Sequence, residues 1–60
     1  MTKLLHLEEV AERLHRTPSQ LRWMLHKGEG PKSALIMRRR VFRESDVEAW
    51  IDEQFEKASV

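Results

Sequence analysis

Apolar residues recur at helical spacing in three stretches of the chain, each bounded by start or stop chemistry. Leu7, Val10, Ala11 and Leu14 fall on one face, with Glu8, Glu9 and Glu12 on the other. This spacing predicts a first helix from about Leu7 to Leu14, with His6 in the cap position, a weaker cap than Ser or Thr. Thr17-Pro18-Ser19-Gln20 is a better start, because a capping Thr precedes Pro at the first helical position and Gln stands three residues after the Thr. Leu21, Met24 and Leu25 continue the inward stripe, Lys27 occupies the last turn and Gly28 supplies a left-handed stop. Only His15 and Arg16 separate the first helix from Thr17, and so short a connection between two amphipathic helices predicts a helix-turn-helix.

Glu29-Gly30-Pro31 forces a loop. Residues 34–37 and 40–43 then read as two short strands, with Arg38 and Arg39 in the turn between them. Neither Gly nor Asn stands there to supply the positive φ of a tight hairpin, so a longer loop is the alternative. A last helix is expected from about Glu44 to Lys57, its stripe made by Val47, Trp50, Ile51 and Phe55, closing the core over the first helix and the hairpin. Glu44 and Asp46 suit its first turn, where the helix dipole favours acids. The whole is a mainly α fold, a winged helix-turn-helix of three short helices with a two-stranded hairpin wing between the second and third. It is expected to form one domain over residues 1–60.

Composition sharpens this picture. A chain of 60 residues buries only ~60% of the surface its unfolded form exposes, so its stability is marginal. It has no cysteine, hence no disulfide or zinc-thiolate staple. No apolar run approaches the length of a membrane span or signal peptide, and a cytoplasmic location is expected. The net charge of +1 conceals a strong partition. Residues 13–43 hold nine basic residues against Glu29 alone, whereas residues 44–60 hold six acids against Lys57. A surface so positive is what a nucleic-acid binder presents, although a solvated basic face with no partner has the same composition.

The candidate contacts lie inside the basic segment. With Leu21, Met24 and Leu25 inward, the second helix turns Ser19, Arg22, Trp23 and His26 outward, with Gln20 to one side. In a major groove Gln pairs with adenine and Arg with guanine, while Ser19 and the free N–H groups at the helix start suit a phosphate. Thr17 and Lys27 complete this helix's contact set, and Arg16, Lys32 and Arg43 are candidates for the DNA backbone. Trp in a small domain is usually core, but Trp23 falls off the inward stripe, which leaves its ring to pack along sugar-phosphate or against a neighbouring copy. Arg38 and Arg39 at a hairpin tip can enter a minor groove and sense its width, and Arg40 either joins them or meets phosphate from the strand. With five or six such groups on phosphates, log affinity falls with log salt at a slope of roughly −5.

Leu7 to Leu14, Thr17 to Gly28, and Asp46-Val47-Glu48-Ala49-Trp50-Ile51 together resemble the MerR-like excisionase and AlpA-type family of phage and mobile-element proteins, over about Leu4 to Ile51. The overall length points within it toward phage excisionases of the mycobacteriophage Xis kind. The resemblance implies a winged helix whose Pro18–Lys27 helix occupies the major groove and whose Arg38–Arg39 wing occupies the adjacent minor groove. It also implies cooperative binding to attachment-site repeats, DNA bending, and assistance to a phage integrase in prophage excision inside the bacterial host. Four features depart from the pattern: Arg22-Trp23 stands where a Tyr-Arg pair is common, arginines replace Gly in the turn, one extra residue lies between Pro31 and the wing tip and unsettles the strand register, and Arg43 stands where a Ser or Asp cap is commoner. Charge separation adds the expectation of head-to-tail self-association on DNA, acidic end against basic segment. The competing expectations are a small prophage or mobile-element transcription regulator with the same DNA surface, and a protein-interaction adaptor without DNA. No enzyme is expected, since the chain has neither Tyr nor Cys as nucleophile and His6, His15 and His26 are scattered; no cofactor or metal is implied.

Overall fold

The computed structural model describes residues 3–58 of the chain. Its elements run β1 (Leu4–His6), α1 (Leu7–Arg13), α2 (Pro18–His26), β2 (Ala34–Ile36), β3 (Arg39–Arg43) and α3 (Glu44–Ala58). The three helices and the hairpin between α2 and α3 match the fold expected from the pattern.

Local chemistry fixes both helices of the helix-turn-helix. The His6 N–H donates to Glu9 Oε1 at 3.0 Å, which holds the Glu9 carboxyl below its usual pKa, with Lys3 and Arg13 adding to the effect. That contribution is present above the ordinary carboxylate range and is lost as pH falls through the lowered value. At α2, Thr17 Oγ1 accepts from the Gln20 N–H and Gln20 Oε1 accepts from the Thr17 N–H, at 3.1 and 2.9 Å. Both helices end in Schellman motifs. Gly28 N–H donates to Leu25 and Glu29 N–H to Met24 after α2, and His15 N–H donates to Glu12 and Arg16 N–H to Ala11 after α1. Gly28 has the expected left-handed φ of +79°, whereas the first motif places His15 at +57°, one of the few side chains that tolerate that region.

The sheet differs from expectation in two respects. A third strand, β1, pairs antiparallel with β3 through Leu5↔Phe42, so the order is β1-β3-β2 and the hairpin is not isolated. The turn is also displaced by one residue. Ile36 pairs with Arg39, leaving Met37 and Arg38 as the two turn residues, at φ +50° and +67°. A tight hairpin needs positive φ at both positions, and neither residue is Gly or Asn. The left-handed backbone costs roughly 1–2 kcal/mol for each such residue, yet the tight turn forms because pairing on both sides of β3 fixes the register.

The core comprises Leu5, Leu7, Val10, Ala11, Leu21, Phe42 and Val47, with Leu14, Leu25 and Ile51 packed against its margin. Met24 and Leu25, expected inward, are half-buried, and only Leu21 of that stripe is fully enclosed. The expected stripe of α3 holds for Val47 and Ile51 but fails beyond them. Trp50 is half-buried and outside the core cluster, and Phe55 is 73% exposed. A helix of 15 residues spans about 22 Å, and a body this small has no surface left to cover its distal half. The start of α3 is held by the Glu44 N–H donating to the Lys3 carbonyl at 2.7 Å and by an Arg13–Glu44 ion pair at 2.7 Å.

These burial differences set an order of mutational cost. Phe42→Ala removes the largest fully buried side chain and is expected to cost about 3–5 kcal/mol, enough to abolish a cooperative urea transition. Trp50→Ala is expected to shift the midpoint by clearly less and to leave the transition intact.

Candidate nucleic-acid interface

Helix α2 buries Leu21 and leaves Ser19, Gln20, Arg22, Trp23, His26 and Lys27 exposed, so its outward face is open to a partner as its periodicity requires. Trp23 is 61% exposed and does not belong to the core. Its ring stacks on His26, one turn on, with centroids 6.0 Å apart and planes 26° apart, and Lys27 Nζ lies 5.8 Å from the Trp23 ring centroid. Aromatic and cationic surface thus runs along the crest of the helix. Such a crest offers a flat face for stacking and positive charge for phosphate.

The crest borders two depressions. On the wing side, Arg22 and His26 line a cleft whose other wall includes Leu35, Arg38, Arg39 and Arg40. Residues far apart in the chain, on α2 and on the hairpin, are thereby brought to one place. On the opposite side, Arg16, Ser19, Gln20 and Trp23 line a shallow groove with Met24 and Glu29. Lys32 and Arg43 join neither group. They line a groove with Leu4, Ala34, Ile36 and Val41, and strand alternation turns Arg43 to the sheet face opposite Leu5 and Phe42.

Intramolecular partners thin the apparent positive charge. Arg43 Nε donates to Asp46 Oδ2 at 2.8 Å, Lys27 pairs with Glu29 at 3.4 Å, and Arg22 lies 3.9 Å from Glu8 on α1. Arg40 donates to Ser33 Oγ at 2.7 Å in a part-buried contact, which sets it on the strand as a brace of the wing. Among the described residues Arg16, Lys32, Arg38 and Arg39 make no ion pair or side-chain hydrogen bond. Thr17 and Gln20 are committed to the cap, so Gln20 keeps its amide NH₂ as a donor but reads adenine through both atoms only by releasing Thr17. Exposed pairs such as Arg22–Glu8 contribute little to stability and are readily exchanged for phosphate.

Three features of this surface were not found from sequence: Glu8 and Glu29 as acids on the cleft wall, His6 beside them, and Met37 at the wing tip. The turn register needed for Met37 is invisible without the β1 pairing. Among the described residues no three His, Asp or Glu side chains cluster as metal ligands, and no helix is long and apolar enough to cross a membrane.

An exposed second helix of a helix-turn-helix, flanked by a basic hairpin, defines a DNA-binding protein. The family model described as a helix-turn-helix domain matches residues 4–54, and the chain belongs to that family. No curated protein and no solved structure matches the chain.

The two environments of arginine separate in a salt titration. On a mixed-sequence duplex followed by fluorescence anisotropy, Arg39→Ala is expected to reduce the slope of log affinity against log salt by about 1. Arg43→Ala, whose guanidinium is already held by Asp46 at 2.8 Å, is expected to leave that slope unchanged.

Proposed function

We propose that this protein is an excisionase-type architectural factor, which binds repeats at a phage attachment site, bends the DNA and thereby assists an integrase in prophage excision. The observation that carries the reading is the cleft in which the outward face of α2 meets the arginines of the wing. In this reading Arg22, Trp23 and His26 enter the major groove, and Ser19 and Arg16 hold the phosphates beside it. Arg38 and Arg39 enter the adjacent minor groove. The motif resemblance over Leu7–Leu14, Thr17–Gly28 and Asp46–Ile51 supports a DNA-binding role, whose surface an excisionase and a small transcription regulator share. The protein acts by binding and deformation and not by catalysis, in the cytoplasm of the bacterial host.

Bending a 20–30 bp site costs of order 1–6 kcal/mol, which one small footprint does not readily offset. Contacts between adjacent copies supply the remainder. Glu48, Asp52 and Glu56 on α3 make no ion pair within the described residues, and they lie on the element opposite in charge to the wing and α2. They are the acidic partners available to the basic segment of a neighbour, in a head-to-tail, non-closing array.

Excision in the presence of the cognate integrase tests the role directly: stimulation is expected, and repression of a promoter without stimulation would assign a transcription regulator instead. Binding per site is expected to be tighter on tandem sites than on a single site; equal affinity would remove the head-to-tail contact. Arg22→Ala is expected to weaken specific binding by ~1–3 kcal/mol, with a smaller effect on mixed-sequence duplex.

A further inference from the structure

Met37 is 92% exposed, more than any other large apolar side chain described, and it stands at the tip of the wing. It occupies the first of two turn positions that demand positive φ, at +50°, where Asn or Gly would sit without strain. Its neighbour Arg38, at +67°, is equally ill-suited to that conformation. An isolated exposed hydrophobe on a protein surface needs no explanation. An apolar side chain held at the apex of a strained turn, between Ile36 and two arginines without an intramolecular partner, does call for one.

We propose that Met37 is a wedge that enters a base step in the minor groove and kinks the duplex. The proposal rests on the DNA-binding reading above and assigns the bend to one side chain. A two-residue hairpin tip is the narrowest tip that two paired strands can present, which suits a minor groove only ~6 Å wide. Arg38 shares the tip with Met37 and Arg39 follows on β3 opposite Ile36, so both cations meet the phosphates beside Met37 while the apolar side chain reaches the floor of the groove. Methionine is long, unbranched and polarizable, and it adapts to the gap between partly unstacked base pairs. Minor-groove proteins use Met, Leu, Ile and Phe for this purpose and bend DNA toward the major groove by roughly 20–90°. At 92% exposure the side chain stands clear of the hairpin. Pyrimidine–purine steps unstack most easily, so the wedge selects a TA or CA step without a hydrogen bond to any base.

The test uses a duplex of roughly 20 base pairs with a central TA step, 2-aminopurine in place of its adenine, and a donor and acceptor dye at the two ends. Binding is read by anisotropy, bending by energy transfer, and unstacking by 2-aminopurine brightening. The wild-type protein is expected to brighten the probe and shorten the end-to-end distance on binding. Met37→Asn, which suits the left-handed turn and therefore keeps the fold, is expected to bind but lose both signals; Met37→Leu is expected to retain them. Wild-type binding without brightening, or a Met37→Asn protein that brightens and bends as the wild type does, would overturn the wedge and leave DNA binding intact. No anisotropy change for the wild type at low salt would remove the DNA-binding reading itself, and the wedge with it.

Discussion

Strand β3 is the member on which the remainder of this small structure depends. It pairs with β1 on one side and β2 on the other, and its Phe42 sits opposite Leu5 at the floor of a seven-residue core. Alternation along the same strand sends Phe42 inward and Arg43 to the opposite face, while the strand's other end carries Arg39 and Arg40 toward the wing. One short segment therefore fixes both the hydrophobic interior and the position of the basic tip. Slipping its register by a single residue would expose Phe42 and turn an arginine into the core, an exchange no small domain survives. This coupling explains how the hairpin tolerates two left-handed residues that a free hairpin would avoid.

The helices were legible from sequence because their signals are local. The Thr17 and Gln20 box, the proline at the start of α2 and Gly28 at its end each specify a boundary without reference to anything distant. The sheet was less legible, since β1 is a three-residue stretch, Leu4–His6, that carries no periodicity and becomes a strand only when β3 is available to pair with it. Turn register followed from the same missing information. The stripe of α3 misled for a different reason: periodicity reports which side chains share a face, not whether the body is large enough to cover it. Val47 and Ile51 found cover, and Phe55 did not.

Of the interface, the outward face of α2 was readable because burial of Leu21 dictates which residues point away. The convergence of Arg22 and His26 with the wing was expected from the family resemblance and follows geometrically from the short loop after Gly28. The Arg22–Glu8 and Arg13–Glu44 pairs were not readable, because each joins elements distant in the chain, whereas Lys27–Glu29 and Arg43–Asp46 are neighbours in sequence. A count of basic residues overstates the field that a ligand meets. Of the cations without an intramolecular partner, Arg16 lies on one flank of α2 and Arg38 and Arg39 on the other, which favours a ligand that bridges both flanks over one that binds a single spot.

The distal half of α3 has its own consequence for motion. Residues 52–58 are held by backbone hydrogen bonds and a Glu53–Lys57 pair at 3.2 Å, with little apolar cover. Their amide protons therefore exchange through opening of that segment alone, well before those of Leu5 and Phe42, which await global unfolding. A segment that frays cheaply can also be ordered by whatever it touches, so a contact there shows first as slowed exchange of those amides.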